Sequence, residues 1–462
     1  MSDLVIAMTK VDALPPTRVT DDTSILTIKR LVFEPLMNWD RGHAFPGLFC
    51  SWTHDAEGRR WQFQLRPDAV FHDGVRCRAG HVLDFIKGIL ASVDMFGMKW
   101  SYARYLARTR ISAASDSVVL VESEHPFADI LDIFSEFYIA RIAPDGRATL
   151  GTGPYGFADL VPHAQAVLEA RDGHAAFVRR ITINCLPNAE ARWNCLQQGH
   201  ADVAMQLDHM EQPPAGDSRF RWLSEISTLS VMYYLNCLSG PFAAPEARLA
   251  ANLAVDKEAL VHEIFGGHAA VSSTIVGPAH LGMAAGTIAP IAYDPDRARA
   301  LLDTSSVSRD LLLRTPTHMP EHAPAISHFV ARALQRVGFH VRIETELDRP
   351  EYARQVGRKE IGDLAIFDSS PHSTFRVLDD KISSVSQAIW WQGYHDSKVQ
   401  KLISAASHSV APAEREVAYA ACLRRLNENP PWLYLVNPIS LAAARLDAPP
   451  TALDAKGTIL VG

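Results

Sequence analysis

The sequence predicts an α/β architecture in more than one lobe, on three observations. Short runs rich in β-branched and aromatic residues alternate with amphipathic helical runs along the whole chain. At 462 residues the chain exceeds the ~100–200 residues of an ordinary domain, so two or three compact units are expected, each with its own core. No internal repeat and no low-complexity linker interrupts the alternation.

The elements follow in order. Leu4-Val5-Ile6-Ala7-Met8 is the first strand, and Leu14-Pro15-Pro16 breaks regular structure after it. Thr20-Asp21-Asp22-Thr23-Ser24 offers N-cap groups to a helix from Ile25 to about Glu34. Its Ile25, Ile28, Leu31 and Val32 recur at helical spacing, and Pro35 ends it. Trp61, Phe63 and Leu65 alternate with Gln62, Gln64 and Arg66, which marks a half-buried strand. Phe71-His72-Asp73-Gly74 is a turn, and a long helix follows with Val82, Phe85, Ile86, Ile89, Leu90 and Val93 on one side. Val118 to Val121 is a short strand, and GTGPYGF from Gly151 is a loop. Ile181 to Ile183 begins a strand, Pro187 to Gln198 is helical up to Gly199, and Asp202-Val203-Ala204 starts another strand.

The chain pivots at Leu229 to Gly267. A buried strand over Leu229–Leu238 meets a turn at Ser239-Gly240-Pro241 and then two helical runs. The second run opens at Asp256 as N-cap, puts Leu260, Val261, Ile264 and Phe265 on one face, and stops at Gly266-Gly267. Beyond it come a strand at Leu311–Arg314 and a helix at Pro324–Val337 closed by Gly338. Phe339, Val341 and Ile343 alternate into a further strand. Helices near 396–405 and 413–427 precede Pro430-Pro431, and a strand from Trp432 to Val436 ends in Asn437-Pro438.

Composition excludes several classes. Hydrophobic content of 47% and charged content of 21% describe a globular protein, and a net charge of -7 without an arginine-rich face argues against a nucleic-acid surface. No apolar run reaches the ~18 residues of a membrane helix. Met1-Ser2-Asp3 leads straight into the first strand with no basic or apolar leader, so either the chain is cytoplasmic or a leader was replaced by a starting Met. The six cysteines lack CxxC spacing and read as buried free thiols, with a single disulfide left open. No GxSxG, HExxH or GxxxxGK[ST] motif is present. GTGPYGF, without a clear preceding strand or a following helix pattern, is not a dinucleotide loop.

The order of these signals resembles the peptide, nickel and opine-type solute-binding proteins of bacterial ABC importers (family 5, the large cluster C proteins). Three pieces carry the likeness: LRPDAVFHDG from Leu65 to Gly74 with Trp61 before it, GTGPYGF from Gly151, and the pivot's Tyr234, Leu235, Asn236, Pro241, Phe242 and Asp256. Gly199-His200-Ala201-Asp202-Val203, Tyr293-Asp294-Pro295 and the Gly338 strand start agree in order. The resemblance implies a two-lobe periplasmic-binding-protein-like fold, type II, enclosing ligand between lobes. Residues 1–236 with 437–462 would form lobe I, with an extra subdomain over about 35–150. Residues 237–436 would form lobe II, with hinge crossings near 235–236 and 436–437.

A ligand cleft needs aromatic walls and a few placed polar groups, and a peptide-like ligand needs an anion for its ammonium and a cation for its carboxylate. The family positions point to ten residues. Trp100 and Tyr102, after the long helix, either line the cleft or pack in a core. Asp22 (or Asp21) lies where relatives line the cleft, although helix capping accounts for one of the pair. Tyr233 and Tyr234 alternate, so one faces a core and the other, Tyr234 by register, is free to face the cleft. His322 enters the Pro324 helix where relatives place a cleft residue. Tyr352 and Arg358 match a segment that supplies an aromatic and a carboxylate-binding arginine, against the ordinary reading of Arg358 as a surface charge. Asp368 stands for the carboxylate that takes a ligand ammonium, in a segment shorter than that of peptide binders and without its tryptophan. Trp390 or Trp391 replaces that tryptophan, and adjacent residues point different ways, so only one of them lines a pocket. His318 and His322 are four apart, but Pro320 and Pro324 prevent the helix a metal pair would use.

The reading is a non-enzymatic binding protein, a monomer with no cofactor and no metal. It captures a peptide-like or opine-like molecule and hands it to membrane permease subunits. The family implies a periplasmic location. The missing leader motivates the alternative of a cytoplasmic sensor or biosynthetic enzyme on the same fold, and the loop near His318 a weaker one, a metal-chelate binder.

Overall fold

The computed structural model describes residues 2–462 except 15, 16, 18, 19, 21, 94–96, 144–146, 148, 172–177, 211, 214, 215 and 284–287. Asp21 and the Pro15-Pro16 break therefore lie outside the described residues. The chain forms two compact units, Met1–Glu225 with Ser440–Gly462, and Ile226–Ile439.

In the first unit, strand Ser2–Met8 runs parallel to Val178–Cys185 on one side and Val203–Ala204 on the other. Gln165–Ala170 and Tyr155–Val161 extend the sheet antiparallel beyond Val178–Cys185, and Ala443-Ala444 close it on Val203–Ala204. Leu4, Ile6 and Met8 alternate into a core with Ile181, Ile183 and Val203. The helix Thr23–Val32 starts at Asp22, whose carboxylate accepts the Ser24 and Ile25 N–H groups at 3.1 Å each. A separate four-stranded sheet joins Phe49–His54, Arg60–Leu65, Val118–Ser123 and Thr109–Ser115 in that order. Trp61, Phe63 and Leu65 are buried on one face of it, with the helix Ala79–Ala91 burying Val82, Phe85, Ile86 and Ile89.

Two of the sequence motifs meet in this unit. His72 accepts the Gly151 N–H at Nδ1 (3.2 Å) and meets the Gly153 carbonyl with Nε2 (3.2 Å), so the proton is assigned to Nε2. Glu34 takes Arg66 in a two-point pair (2.7 and 3.1 Å) and accepts Thr152 Oγ1 at 3.1 Å. Gly151 and Gly153 press on the Val32 carbonyl so closely that a Cβ would stand 2.0 and 2.6 Å from it. Those glycines are there for close approach, not for a turn. GTGPYGF is a loop only to Pro154, because Tyr155 already opens the strand Tyr155–Val161.

In the second unit the sheet order is His340–Glu346, Asp310–Pro316, Leu364–Ser369, Ser230–Leu235 and then Trp432 onward. The first two pairs are parallel, and Ser230–Leu235 runs antiparallel to both its neighbours. Helices Pro245–Ala254, Lys257–Phe265 and Ala323–Arg336 bury one face of it. Asp256 caps Lys257–Phe265 through the Ala259 N–H (3.0 Å), and Gly266 ends it at φ +55°. Ser230–Leu235 lies wholly inside this unit, so the chain changes unit at Glu225–Ile226, whereas the sequence placed that step at 235–236. The last strand does not stop at Asn437-Pro438 but runs from Trp432 to Arg445. Pro438 needs no donor there, since its carbonyl accepts the Ser227 N–H at 2.9 Å. The return step is Ile439–Ser440, against 436–437 from the sequence. Helices Arg349–Gly357 and Thr374–Lys381 were not apparent in the sequence.

Candidate functional site

The second unit gathers three of the ten sequence candidates, Tyr234, Tyr352 and Trp390, around one ring. On Ser230–Leu235, Val231, Tyr233 and Leu235 face the helical core, where the Tyr233 hydroxyl and Ser327 Oγ are 2.8 Å apart. Tyr234 therefore faces the other way. Its ring is 5.7 Å from Phe367 and meets Trp432 edge-on at 5.6 Å. Phe367 is the hub: Tyr352 stacks on it at 6.3 Å, Trp390 lies at 5.3 Å, and the Arg349 guanidinium sits 4.8 Å over its face. Asp368 follows directly in sequence, and the Lys381 ammonium lies 5.9 Å from the Trp432 ring.

The electrostatics of the patch are mixed. Arg349 is buried and donates from Nε to the Met319 carbonyl (2.7 Å). Burial pulls its pKa down, and the Asp368 carboxylate pulls it up. Burial drives the Tyr234 phenol far above its ordinary pKa, with Asp368 and Asp380 adding to the shift, so the hydroxyl stays protonated and is a donor. Tyr234 is 0% exposed, and among the described residues its hydroxyl has no hydrogen-bond partner. Tyr352 differs, sharing its hydroxyl between the Ile366 (2.8 Å) and Arg314 (3.1 Å) carbonyls. This cluster, buried in the structure, brings together aromatic faces, one protonated phenol and charges of both signs.

The remaining candidates stand elsewhere. Trp391 turns its indole N–H to the Tyr394 carbonyl (2.8 Å), so of the adjacent pair it is Trp390 that reaches Phe367. His322 is the left-handed residue before Ala323–Arg336 (φ +60°) and meets Phe265 edge-on at 5.6 Å. His318 is exposed beside Thr317, and among the described residues no group of three or more His, Cys, Asp or Glu is placed to hold a metal. Arg358 is exposed and spans Glu351 and Glu360, each at 2.8 Å. In the first unit Asp22 caps its helix and pairs with Lys10 at 2.7 Å. Trp100 lies 6.0 Å from Tyr102, whose buried ring also meets Phe137 at 5.1 Å. All six cysteines are free, with Cys77 and Cys422 buried and the other four partly so.

Arg349, Asp380, Lys381 and Trp432 escaped the sequence reading. One signal was available: Asp348-Arg349-Pro350 carries an N-cap and a helix-start proline, which announces the helix that places Arg349. Two cavities are lined wholly by the first unit, and the larger, about 40 Å³ beside Thr23, Gln206, Asp208 and His209, has room for little more than water.

The comparisons with known proteins agree on one family. The family model described as bacterial extracellular solute-binding proteins, family 5 Middle, matches residues 44–376. The nickel-binding periplasmic protein of Escherichia coli (strain K12) is 26% identical over 59% of this chain, and the match spans only 55% of that relative. A probable di/tripeptide-binding protein of Pseudomonas aeruginosa is 22% identical over 88% of this chain and 84% of its own length. The binding protein AgaA from A. tumefacien R10, solved with agropinic acid, shares the fold at a TM-score of 0.78 and 18% identity. That superposition covers 100% of this chain and 99% of AgaA.

Proposed function

The chain belongs to the bacterial extracellular solute-binding proteins of family 5, and from that premise we propose that it captures a peptide-like or opine-like small molecule for the permease of an ABC importer. Proteins of this family are binding proteins rather than enzymes, and the nickel-binding relative is a periplasmic protein. Capture without chemistry, a periplasmic location and action as a monomer without nucleic acid belong to the same proposal. The relatives favour it over a sensor or a biosynthetic enzyme.

One observation carries the assignment of the ligand surface: the buried, unpartnered Tyr234 hydroxyl on a face shared with Phe367, Trp432 and Trp390. A buried hydroxyl without a partner costs about 1–3 kcal/mol, a cost that a bound acceptor would remove. On this reading Tyr234, Tyr352 and Trp390 supply the wall, Arg349 attracts a ligand carboxylate, and Asp368 attracts a ligand ammonium. We place the hinge of ligand-driven closure at the two chain crossings, where a few residues absorb rotation. Closure is then a population shift set by the ligand's preference for one state. Native mass spectrometry of protein purified without unfolding tests the proposal. A bound mass identified as a peptide or opine supports it. No bound mass, together with no thermal stabilisation by a panel of di- and tripeptides and opines, overturns it.

A further inference from the structure

We propose that Lys359 is a positioning residue for Trp390, an ammonium clamp that fixes where this aromatic wall stands. Lys359 follows the helix Arg349–Gly357 in a left-handed conformation (φ +69°), with its N–H on the Val356 carbonyl at 3.0 Å. This turn sends the side chain to a stretch with neither helix nor strand. There Nζ donates to the carbonyls of Ala388 (3.3 Å) and Ile389 (2.5 Å). These are the two residues before Trp390, and the same turn is closed by the Trp391 N–H on the Ala388 carbonyl at 3.0 Å.

Before Ala388 the Gln387 N–H donates to the Ser383 carbonyl (3.0 Å), and beyond Trp390 the chain is tied again. Gln392 donates to the Val356 carbonyl (2.9 Å), and its own carbonyl accepts the Cys237 N–H (2.9 Å). Gly393 packs so tightly that a Cβ would lie 2.6 Å from the Leu238 nitrogen. Between those two ties, Lys359 is the side chain that holds the carbonyls of the two residues before Trp390.

No carboxylate among the described residues shares that charge. Among the described residues Lys359 makes no ion pair, and the charged groups nearest in sequence, Arg358, Glu360 and Glu351, are tied to one another. Arg354 on the preceding helix pairs with Glu351, and the turn from Gln387 to Trp391 has no charged residue. Burial alone pulls the Lys359 pKa down to about 8, so the clamp's charge is lost within an accessible pH range. A charged N–H donor is roughly twice as strong as a neutral one, so deprotonation weakens the clamp without removing it.

The role of Trp390 as a ligand wall rests on the proposed function, but the test reads the indole itself and needs no ligand. Nine tryptophans are present, so the Trp390 component is taken as the difference between wild type and W390F in acrylamide quenching. K359M is expected to lose protection of that component at every pH. Wild type should lose it as pH rises from 7 to 9, and K359R, charged throughout, should keep it. If K359M unfolds, the wild-type pH profile against K359R decides. A Trp390 component unchanged in K359M, or a wild-type profile that K359R reproduces, overturns the clamp while leaving the ligand proposal standing. Where the clamp holds and the ligand identified by mass spectrometry is in hand, K359M should weaken its capture about two- to tenfold, the worth of one aromatic contact.

Discussion

Replacing Tyr234 by Phe removes one oxygen and leaves the ring in place between Phe367 and Trp432. The expected effect on the ligand-free protein is stabilising, which is unusual for a core substitution. The hydroxyl is 0% exposed and has no hydrogen-bond partner among the described residues, so folding strips its water and returns nothing. Desolvation of that kind costs about 1–3 kcal/mol, part of which the phenylalanine recovers. A gain of about 1–2 kcal/mol is expected, and for a unit of this size each kcal/mol raises Tm by about 2–4 °C. Ligand binding should move the opposite way, by about three- to tenfold weaker affinity if the hydroxyl donates one neutral hydrogen bond to the bound molecule. Urea unfolding of the ligand-free protein and calorimetric titration with the ligand recovered from it measure the two effects separately. Destabilisation of the ligand-free protein by a kilocalorie or more would refute the reasoning, because the hydroxyl would then already have a partner. Stabilisation with unchanged affinity would keep the orphaned hydroxyl and remove it from the ligand surface.

Three further outcomes follow from the packing. Gly151→Ala would place its Cβ 2.0 Å from the Val32 carbonyl, a backbone atom that cannot rotate away, and should cost about 3 kcal/mol in urea unfolding. Arg248→Met strips a buried guanidinium from the carbonyls of Pro430 (2.9 Å), Phe242 (2.8 Å) and Ala243 (3.1 Å) and from Asn429 Oδ1 (2.6 Å). A loss of about 3–5 kcal/mol is expected in the same assay. His72 is held neutral, its pKa lowered first by burial, while unfolded histidine titrates near 6.5. The unfolded chain therefore binds the proton first, and stability falls as pH drops below about 6.5, by at most about 1.4 kcal/mol per pH unit. Wild type minus H72Q, measured from pH 7.5 to 5, should show that slope, and a flat difference would remove His72 from the account.

Elements with a clear period were legible in the sequence. The alternation Trp61, Phe63, Leu65 and the stripe Ile326, Phe329, Val330, Ala333, Leu334 each bury what their spacing says they bury. Steps that depend on partners far away in sequence were not. Asn437-Pro438 reads as a strand end because proline lacks a donor, yet this position uses only its carbonyl. The pairing of Glu34 with Arg66 and Thr152 joins residues 32 and 118 positions apart, which no local pattern announces. Arg349 sits in a run of charges that reads as a solvated helix face. What buries it is Phe367, on a strand whose register the helix cannot foretell.

The adjacent tyrosines show how far sequence reasoning can go toward a site. Period two forces Tyr233 and Tyr234 to opposite faces, but the strand alone does not say which face is the helical core. The answer lay in another element. On the helix Ala323–Arg336 the apolar stripe includes one hydroxyl, Ser327, at 0% exposure. A serine there must find a polar partner from whatever packs against the stripe. The sheet strands facing it offer few candidates, and a tyrosine on the interior strand Ser230–Leu235 is one that reaches. Pairing Ser327 with Tyr233 satisfies both hydroxyls and leaves Tyr234 on the face where no described residue answers it. The same logic applies to any buried hydroxyl that a fold fails to pair: its partner is an ordered water or a group supplied by what the chain binds.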